Sequence, residues 1–298
     1  MPIPATSTTP TILAVGAAGK FAGLVVPELA KRGAHVRGLI RDAKQGEEVR
    51  KQGAAEVAIG DLRDRASLDA ALQGVDAVFY IAPAFIPDEA AIGTGMVDAA
   101  KRAGVRRFVF SSVIDPILST LPNHAAKAPV EEAILASDME YTFLHPTLFF
   151  QNLAQGWPAV VKTGTYGEPW SGETRFARVD YRDVAEVAAL ALLEDRLRYG
   201  TFELCAAGNL NRNDVTALMG DVLGRKIEAV RLTLSKPGDS PEDSGDDTQP
   251  SPMQPMFDWY DHHGLSGNPL ILRAILGREP RTLRAYLAEL AAAPQSAD

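Results

Sequence analysis

The residues Gly16-Ala17-Ala18-Gly19-Lys20-Phe21-Ala22-Gly23 lie between an apolar run, Thr11–Val15, and a stretch of helical spacing, Ala22–Lys31. No other feature restricts the backbone so tightly. A strand that turns straight into a helix needs a residue free of Cβ sterics at the corner, which Gly16 supplies. Gly19 lets the backbone come close to a phosphate, and the small pair Ala22 and Gly23 lets the helix sit against the strand. The helix start adds unpaired N–H groups and a positive dipole end. The spacing is G-x-x-G-x-x-A, not G-x-G-x-x-G. Alone, such a turn is only a tight connection.

The pattern that follows gives the turn its meaning. Strands are expected at residues 34–40, 56–59, 76–81 and 105–110, with helices over 66–72 and 88–103, the last closing at Gly104. This alternation predicts an α/β fold: a Rossmann-type, doubly wound parallel sheet that binds ligands at the carboxyl ends of its strands. Beyond Ser112 the pattern loosens. Helices are expected over 125–136, 183–193 and 213–223, and strands at 141–144 and 201–205. A helical tail spans 269–292, with turn signals at 278–280. Residues 234–255, rich in Pro, Ser, Gly and Asp, read as a flexible surface loop. The predicted division is a dinucleotide-binding core over 1–152 and a smaller mixed portion over 153–298 that covers the cleft and returns to the core.

Composition narrows the function classes. A formal net charge of -8 over 298 residues argues against a nucleic-acid binder, which needs a concentrated basic face. No apolar run reaches the length of a membrane span, and the N-terminal MPIPATSTTP carries no signal-peptide pattern. The single Cys205 excludes an internal disulfide and a multi-cysteine metal site, and its apolar setting predicts a buried thiol. A soluble cytoplasmic protein is expected, as a monomer or homodimer, with no metal, no nucleic-acid partner and no membrane partner.

The cofactor reading centres on the end of the second strand. An acid there would accept the ribose 2′-OH of NAD; this chain has Arg41, whose fork suits the extra phosphate of NADPH. Lys20 or Lys44 can add charge, while Asp42 keeps NADH possible. Gly16, Ala18, Gly19, Lys20 and Phe21 form the expected phosphate cradle. Asp61 is placed to accept the adenine amino group, with Leu62 packed on the ring, and Ala82 and Pro83 leave room for ribose and nicotinamide.

These residues, together with Arg107-Phe-Val-Phe-Ser-Ser112, His124-x-x-Lys127, Tyr141-Thr-Phe-Leu-His-Pro146, Phe150-Gln-Asn152 and Val179-Asp-Tyr-Arg-Asp-Val-Ala185, carry a family resemblance. Leu223-Gly-Arg225 and His263-Gly-Leu-Ser-Gly-Asn268 extend it over nearly the whole chain. The sequence resembles the NmrA-like group of atypical short-chain dehydrogenases/reductases. The resemblance implies NAD(P) binding and a small C-terminal domain bounding a substrate cleft. Members include reductases of quinones, azo dyes, triphenylmethane dyes and plant phenolics, and regulators that only sense the dinucleotide.

In ordinary short-chain reductases a tyrosine four positions before a lysine delivers the proton. Here Lys127 matches the lysine that holds the nicotinamide ribose, and Ser111 or Ser112 the serine. Asn123 stands where the tyrosine is expected. His124, at i and i+3 with Lys127 on one predicted helix face, is the nearest titratable replacement. His145, at a position where related sequences often carry arginine, is expected to face substrate along with Phe149, Phe150, Asn152 and Trp157. The expected function is an NADPH-dependent reductase passing hydride to a quinone, azo or similar conjugated aromatic acceptor. The alternative is a non-catalytic NADP(H) sensor; an isomerase or epimerase would need the missing tyrosine.

Overall fold

The computed structural model describes residues 9–232 and 253–293. Along the chain run β1 (Thr11–Val15), α1 (Ala22–Lys31), β2 (His35–Ile40), α2 (Gly46–Lys51), β3 (Glu56–Ile59), α3 (Arg65–Ala71), β4 (Ala77–Ile81) and α4 (Glu89–Arg102). Next come β5 (Arg107–Ser111), α5 (Pro122–Ala125), α6 (Ala128–Leu135), β6 (Glu140–Pro146), β7 (Leu148–Phe149), α7 (Leu153–Thr163), β8 (Thr165–Glu168) and β9 (Phe176–Val179). The remainder is α8 (Tyr181–Leu193), β10 (Gly200–Leu204), β11 (Asn209–Leu210), α9 (Arg212–Leu223), β12 (Glu228–Arg231), α10 (Gln254–His263), α11 (Leu270–Leu276) and α12 (Leu283–Ala292).

Seven strands form one sheet in the order β10-β6-β5-β4-β1-β2-β3, and β1 to β6 pair in parallel. The winding runs outward through β2 and β3 on one side of β1, and through β4, β5 and β6 on the other. Strand order therefore reverses between β1 and β4, the switch point where such sheets hold ligands. Strands of this kind are covered on both faces, which is why β4 and β5 read as near-continuous apolar runs.

Contacts divide the chain into two compact units whose boundaries interleave instead of meeting near residue 152. One comprises Met1–Ser112, Ala126–His145 and Val184–Phe202; the other comprises Val113–Ala125, Pro146–Asp183 and Glu203–Asp298. The interleaving follows from the sheet, because β6 and β10 join it late in the chain. The core of the first unit packs Leu13, Val78, Tyr80, Phe108, Phe110, Met96, Val130 and Ile134. Gly38 is required there: a Cβ would stand 2.6 Å from Val49 Cγ1 and 2.9 Å from Ala17 Cβ. The glycine turn thus settles directly on β2, where the Ala17 N–H donates to the Leu39 carbonyl at 3.0 Å.

Arg107 opens β5 and is almost wholly buried. Its guanidinium donates to Glu140 Oε2 at 2.9 Å, to Asp195 Oδ1 at 2.7 Å, and to the carbonyls of Ala191, Leu192 and Glu194 at 3.2, 3.1 and 2.9 Å. Those carbonyls lie at the end of α8, where backbone acceptors otherwise lack partners. Glu140 also accepts from Arg106 and Arg198. Burial works to raise its pKa, but the hydrogen bonds from Arg198 and Arg107 outweigh it and hold the carboxyl below its ordinary range.

The second unit contains a three-stranded sheet, β11-β9-β7, and the parallel pair β12-β8. One apolar cluster gathers Phe150, Trp157, Val215, Met219, Leu283 and Leu287; another gathers Ile114, Trp170, Phe176, Cys205, Met256 and Tyr260. Asp183, wholly buried, accepts from Arg278 and Arg281 and fixes the turn between α11 and α12.

Two expectations change, and one is sharpened. The single helix over 125–136 is two helices, α5 and α6, separated by a turn at Ala126 and Lys127. The helical tail breaks beside the turn signals expected at 278–280, with Gly277 ending α11 in the left-handed region. Most of the proposed loop, residues 234–252, falls outside the described residues; its last two, Gln254 and Pro255, begin α10. Pro255 suits a first helical turn, since its missing N–H has no partner to lose there. Cys205 is buried as expected.

A carboxyl held below its unfolded pKa stabilises the fold above that unfolded value, about 4.3 for glutamate, and loses this contribution as pH falls through the folded value. Glu140→Gln is expected to lower the melting temperature near neutral pH. It should also flatten the loss of stability below about pH 4.3. Thermal unfolding of both proteins across that range is the check; parallel curves would show that the Glu140 network contributes nothing to the acid limb.

Candidate functional site: a phosphate cradle and a polar cluster at the strand ends

Gly16 has φ +70°, the left-handed region that glycine enters without strain. The Gly19 N–H donates to the Gly16 carbonyl at 2.7 Å, and a Cβ on Gly19 would stand 3.0 Å from that same oxygen. A Cβ on Gly23 would come within 3.1 Å of the Ala17 carbonyl. No side chain caps the N-terminus of α1. The first turn therefore offers backbone donors and its dipole to an anion. The corner at Gly16 is open, with nothing within 4 Å of the point a Cβ would occupy. The residues fit a dinucleotide pyrophosphate.

Arg41 directly follows β2, is exposed, and pairs with no described residue. Asp42 is already engaged. Its carboxylate accepts the Lys44 N–H at 2.9 Å and closes a capping box with Gln45. Of the two residues that bear on cofactor choice, only the aspartate is engaged among the described residues. Lys20 sits 5.5 Å from the centre of the Phe21 ring, and partial burial lowers its pKa. Asp61 Oδ1 accepts the Arg63 N–H at 2.8 Å, a turn role that leaves Oδ2 for a ligand. Leu62 is half-buried against the core; Ala82 and Pro83 follow β4, and Ser111, buried, ends β5.

Lys127 lies just before α6, buried and ion-paired with the equally buried Glu89. The other oxygen of Glu89 accepts the Phe85 N–H at 3.1 Å, and Phe85 is exposed with φ +64°. Sequence reasoning missed Glu89, which in the pattern is merely an acid in the first turn of a helix. The shared-face argument for His124 and Lys127 fails, because the helix breaks between them. His124 is wholly buried, with Nδ1 3.1 Å from the Asp115 carbonyl oxygen. Burial pushes up the pKa of the Tyr260 hydroxyl, and the neighbouring Asn123 side chain works against that rise.

His145 lies near the end of β6. Its Nε2 is 2.9 Å from Glu131 Oε1, and the same oxygen accepts the Ser112 hydroxyl at 2.5 Å. Glu131 is a second residue that pattern reasoning missed.

The expected substrate residues all belong to the second unit except His145. Phe149 is half-buried, edge-on to Tyr181 at 4.8 Å, and Asn152 is exposed at the start of α7. Phe150 and Trp157 are a correction: both are buried in the apolar cluster around Val215 and Leu287, so they pack the core and line no cleft. Their spacing, three and four residues from the inward-facing Leu153, is that of a helix's core face. The motif residues Gln151 and Asp180 are likewise structural. Gln151 Nε2 donates to Asp180 at 2.7 Å, and its Oε1 accepts the Tyr181 N–H at 2.9 Å.

A parallel doubly wound sheet with this glycine turn defines a dinucleotide-binding class of fold. The NmrA-like family matches residues 8–283, and the chain belongs to that family. The NAD(P)H azoreductase of Xenophilus azovorans is 32% identical over 234 residues, covering 76% of this chain and 78% of its own. The triphenylmethane reductase of Citrobacter sp. shares the fold with a TM-score of 0.81 at 21% identity, covering 94% of this chain and 99% of that one. The NADPH complex of the quinone oxidoreductase QOR2 of Escherichia coli does so with a TM-score of 0.80, at the same identity and coverage.

Removing one partner of a buried ion pair leaves the other uncompensated, at a cost of about 3–5 kcal/mol. Lys127→Met is expected to destabilise the protein on that scale, and the double variant Glu89→Gln, Lys127→Met to recover most of the loss. Denaturant unfolding of the three proteins tests this; equal stability of Lys127→Met and the parent would show that Glu89 does not depend on the lysine.

Proposed function

We propose that this chain is an NADPH-dependent reductase that passes hydride to a small conjugated aromatic acceptor, a quinone or azo compound, in the cytoplasm. The observation that carries the cofactor half is the contrast at the end of β2, where Arg41 pairs with no described residue and Asp42 is committed to a cap. Bound NADPH supplies the hydride. The turn from Gly16 to Gly19 and the start of α1 hold the pyrophosphate, Arg41 with Lys20 the 2′-phosphate, and Asp61 with Leu62 the adenine. Ala82 and Pro83 leave a smooth path toward the nicotinamide, whose ribose meets Lys127 and the region of Ser111.

The acceptor half rests on kinship: the azoreductase relative is named for NAD(P)H-dependent azo reduction, and the two structural neighbours for dye and quinone reduction. Such acceptors are flat and electron-poor, and need no tyrosine to polarise a carbonyl. Asn123 favours a second reading, an NADP(H) sensor without chemistry.

Purified protein incubated with NADPH and either a quinone or an azo dye is expected to consume the reduced cofactor, followed by its absorbance. Tight NADPH binding with no turnover of any acceptor would transfer the case to the sensor. The cofactor assignment is checked separately. Loss of hydrogen bonds to a charged group, about 1.5–3 kcal/mol, translates to a weakening of roughly 10- to 100-fold. Arg41→Ala should weaken NADPH to that extent and leave NADH nearly unaffected; equal losses for both would remove the phosphate clamp.

A further inference from the structure

The first unit places two polar side chains on one oxygen of the Glu131 carboxylate. Ser112 directly follows β5 and donates its hydroxyl to Glu131 Oε1 at 2.5 Å; His145, on β6, brings Nε2 to that oxygen at 2.9 Å. The register of the sheet makes the meeting inevitable. Ser111 pairs with Leu144, so the next residues, Ser112 and His145, stand level at the carboxyl ends of adjacent parallel strands. That end of a doubly wound sheet is where ligands bind.

The helix supplies the link to the cofactor. Glu131 is four residues beyond Lys127, and its N–H donates to the Lys127 carbonyl at 3.0 Å, so the two lie one turn apart on one face. If Lys127 meets the nicotinamide ribose, the cluster stands a single helical turn away. Ser112 is buried and Glu131 and His145 are only slightly exposed, with side-chain exposures of 15% and 12%. His145 Nδ1, by contrast, bonds to no described residue and is not among the buried unpartnered atoms. The ring is anchored at one nitrogen and presents the other.

Resting on the reductase reading, we propose that His145 is the catalytic acid that replaces the missing tyrosine, with Glu131 and Ser112 as its positioning residues. A quinone that accepts hydride gains two electrons and one proton, and needs one further proton to become the hydroquinone. The Nδ1–H bond of a protonated His145 breaks and an O–H bond forms on the reduced acceptor. The imidazole left behind keeps its Nε2–H on Glu131, and solvent returns the proton to Nδ1. An azo bond has the same requirement, one hydride and one proton. A cationic triphenylmethane dye does not: hydride on its central carbon gives the neutral leuco form with no proton taken up.

This difference supplies the test. Steady-state rates are measured with NADPH against a benzoquinone and against a cationic triphenylmethane dye, and NADPH affinity is measured by nicotinamide fluorescence. General acid catalysis contributes roughly 10²- to 10⁴-fold. His145→Asn should therefore lower kcat for the quinone by at least about 100-fold, with a far smaller change in the dye rate and no loss of NADPH affinity. Should that variant not fold, His145→Gln serves the same purpose. Glu131→Gln and Ser112→Ala should give smaller losses, again only with the quinone, in kcat more than KM and with an increased solvent isotope effect. Unchanged quinone turnover in His145→Asn, or equal losses with both acceptors, overturns the proposal. If the unaltered protein binds NADPH but reduces neither acceptor, the reductase reading itself fails and this assignment with it.

Discussion

A guanidinium buried at the foot of β5 must be fully paired, because an uncompensated charge removed from water costs several kcal/mol. Arg107 meets that demand by drawing in Glu140 from β6, the last carbonyls of α8 and the Asp195 carboxylate. Three chain segments far apart in sequence are thereby committed to one point. The Arg107 and Glu140 pair also sets the register of β5 against β6 at its lower end. At the upper end the same register brings Ser112 level with His145. The chemistry proposed for the strand ends thus depends on an ion pair at the other end of the strands.

Charge pairing organises the first unit in a second place. Glu89 joins Lys127 with one oxygen and the Phe85 backbone with the other, tying the start of α6 to the loop after β4. A lysine so held is positioned before any ligand arrives, which is what a ribose contact requires. In the proposed function, Lys127 then serves stability and binding together. In the second unit, Gln151 with Asp180, and Asp183 with Arg278 and Arg281, do similar work.

The legible features were those written in local pattern. The Gly16 corner, the alternation through β5 and the placement of Arg41 all follow from neighbours in sequence. The fate of Asp42 was harder to see, since an aspartate after a strand can cap a turn or bind a ribose, and only the closed bond to Lys44 decides. Phe150 and Trp157 misled for a different reason: aromatic side chains look alike in a core and a pocket, and burial distinguishes them. His124 misled because only Pro129, in the first turn of α6, marks the break at Ala126 and Lys127, and helical spacing continues across the turn. Glu131 gave no signal at all, being one acid of two in an ordinary helical stretch.

By itself, then, the sequence determined the doubly wound sheet, the phosphate-binding turn and the expectation of an added phosphate, because each is encoded by residues within a few positions of one another. The loss of the tyrosine at Asn123 was equally plain. Only the tertiary structure decided which groups stand in a position to replace it. Glu131, Ser112 and His145 are brought together by strand register and helix packing, long-range constraints that no local pattern records. The glycine turn is written in neighbouring residues; which groups meet at the strand ends is set by the pairing of β5 with β6.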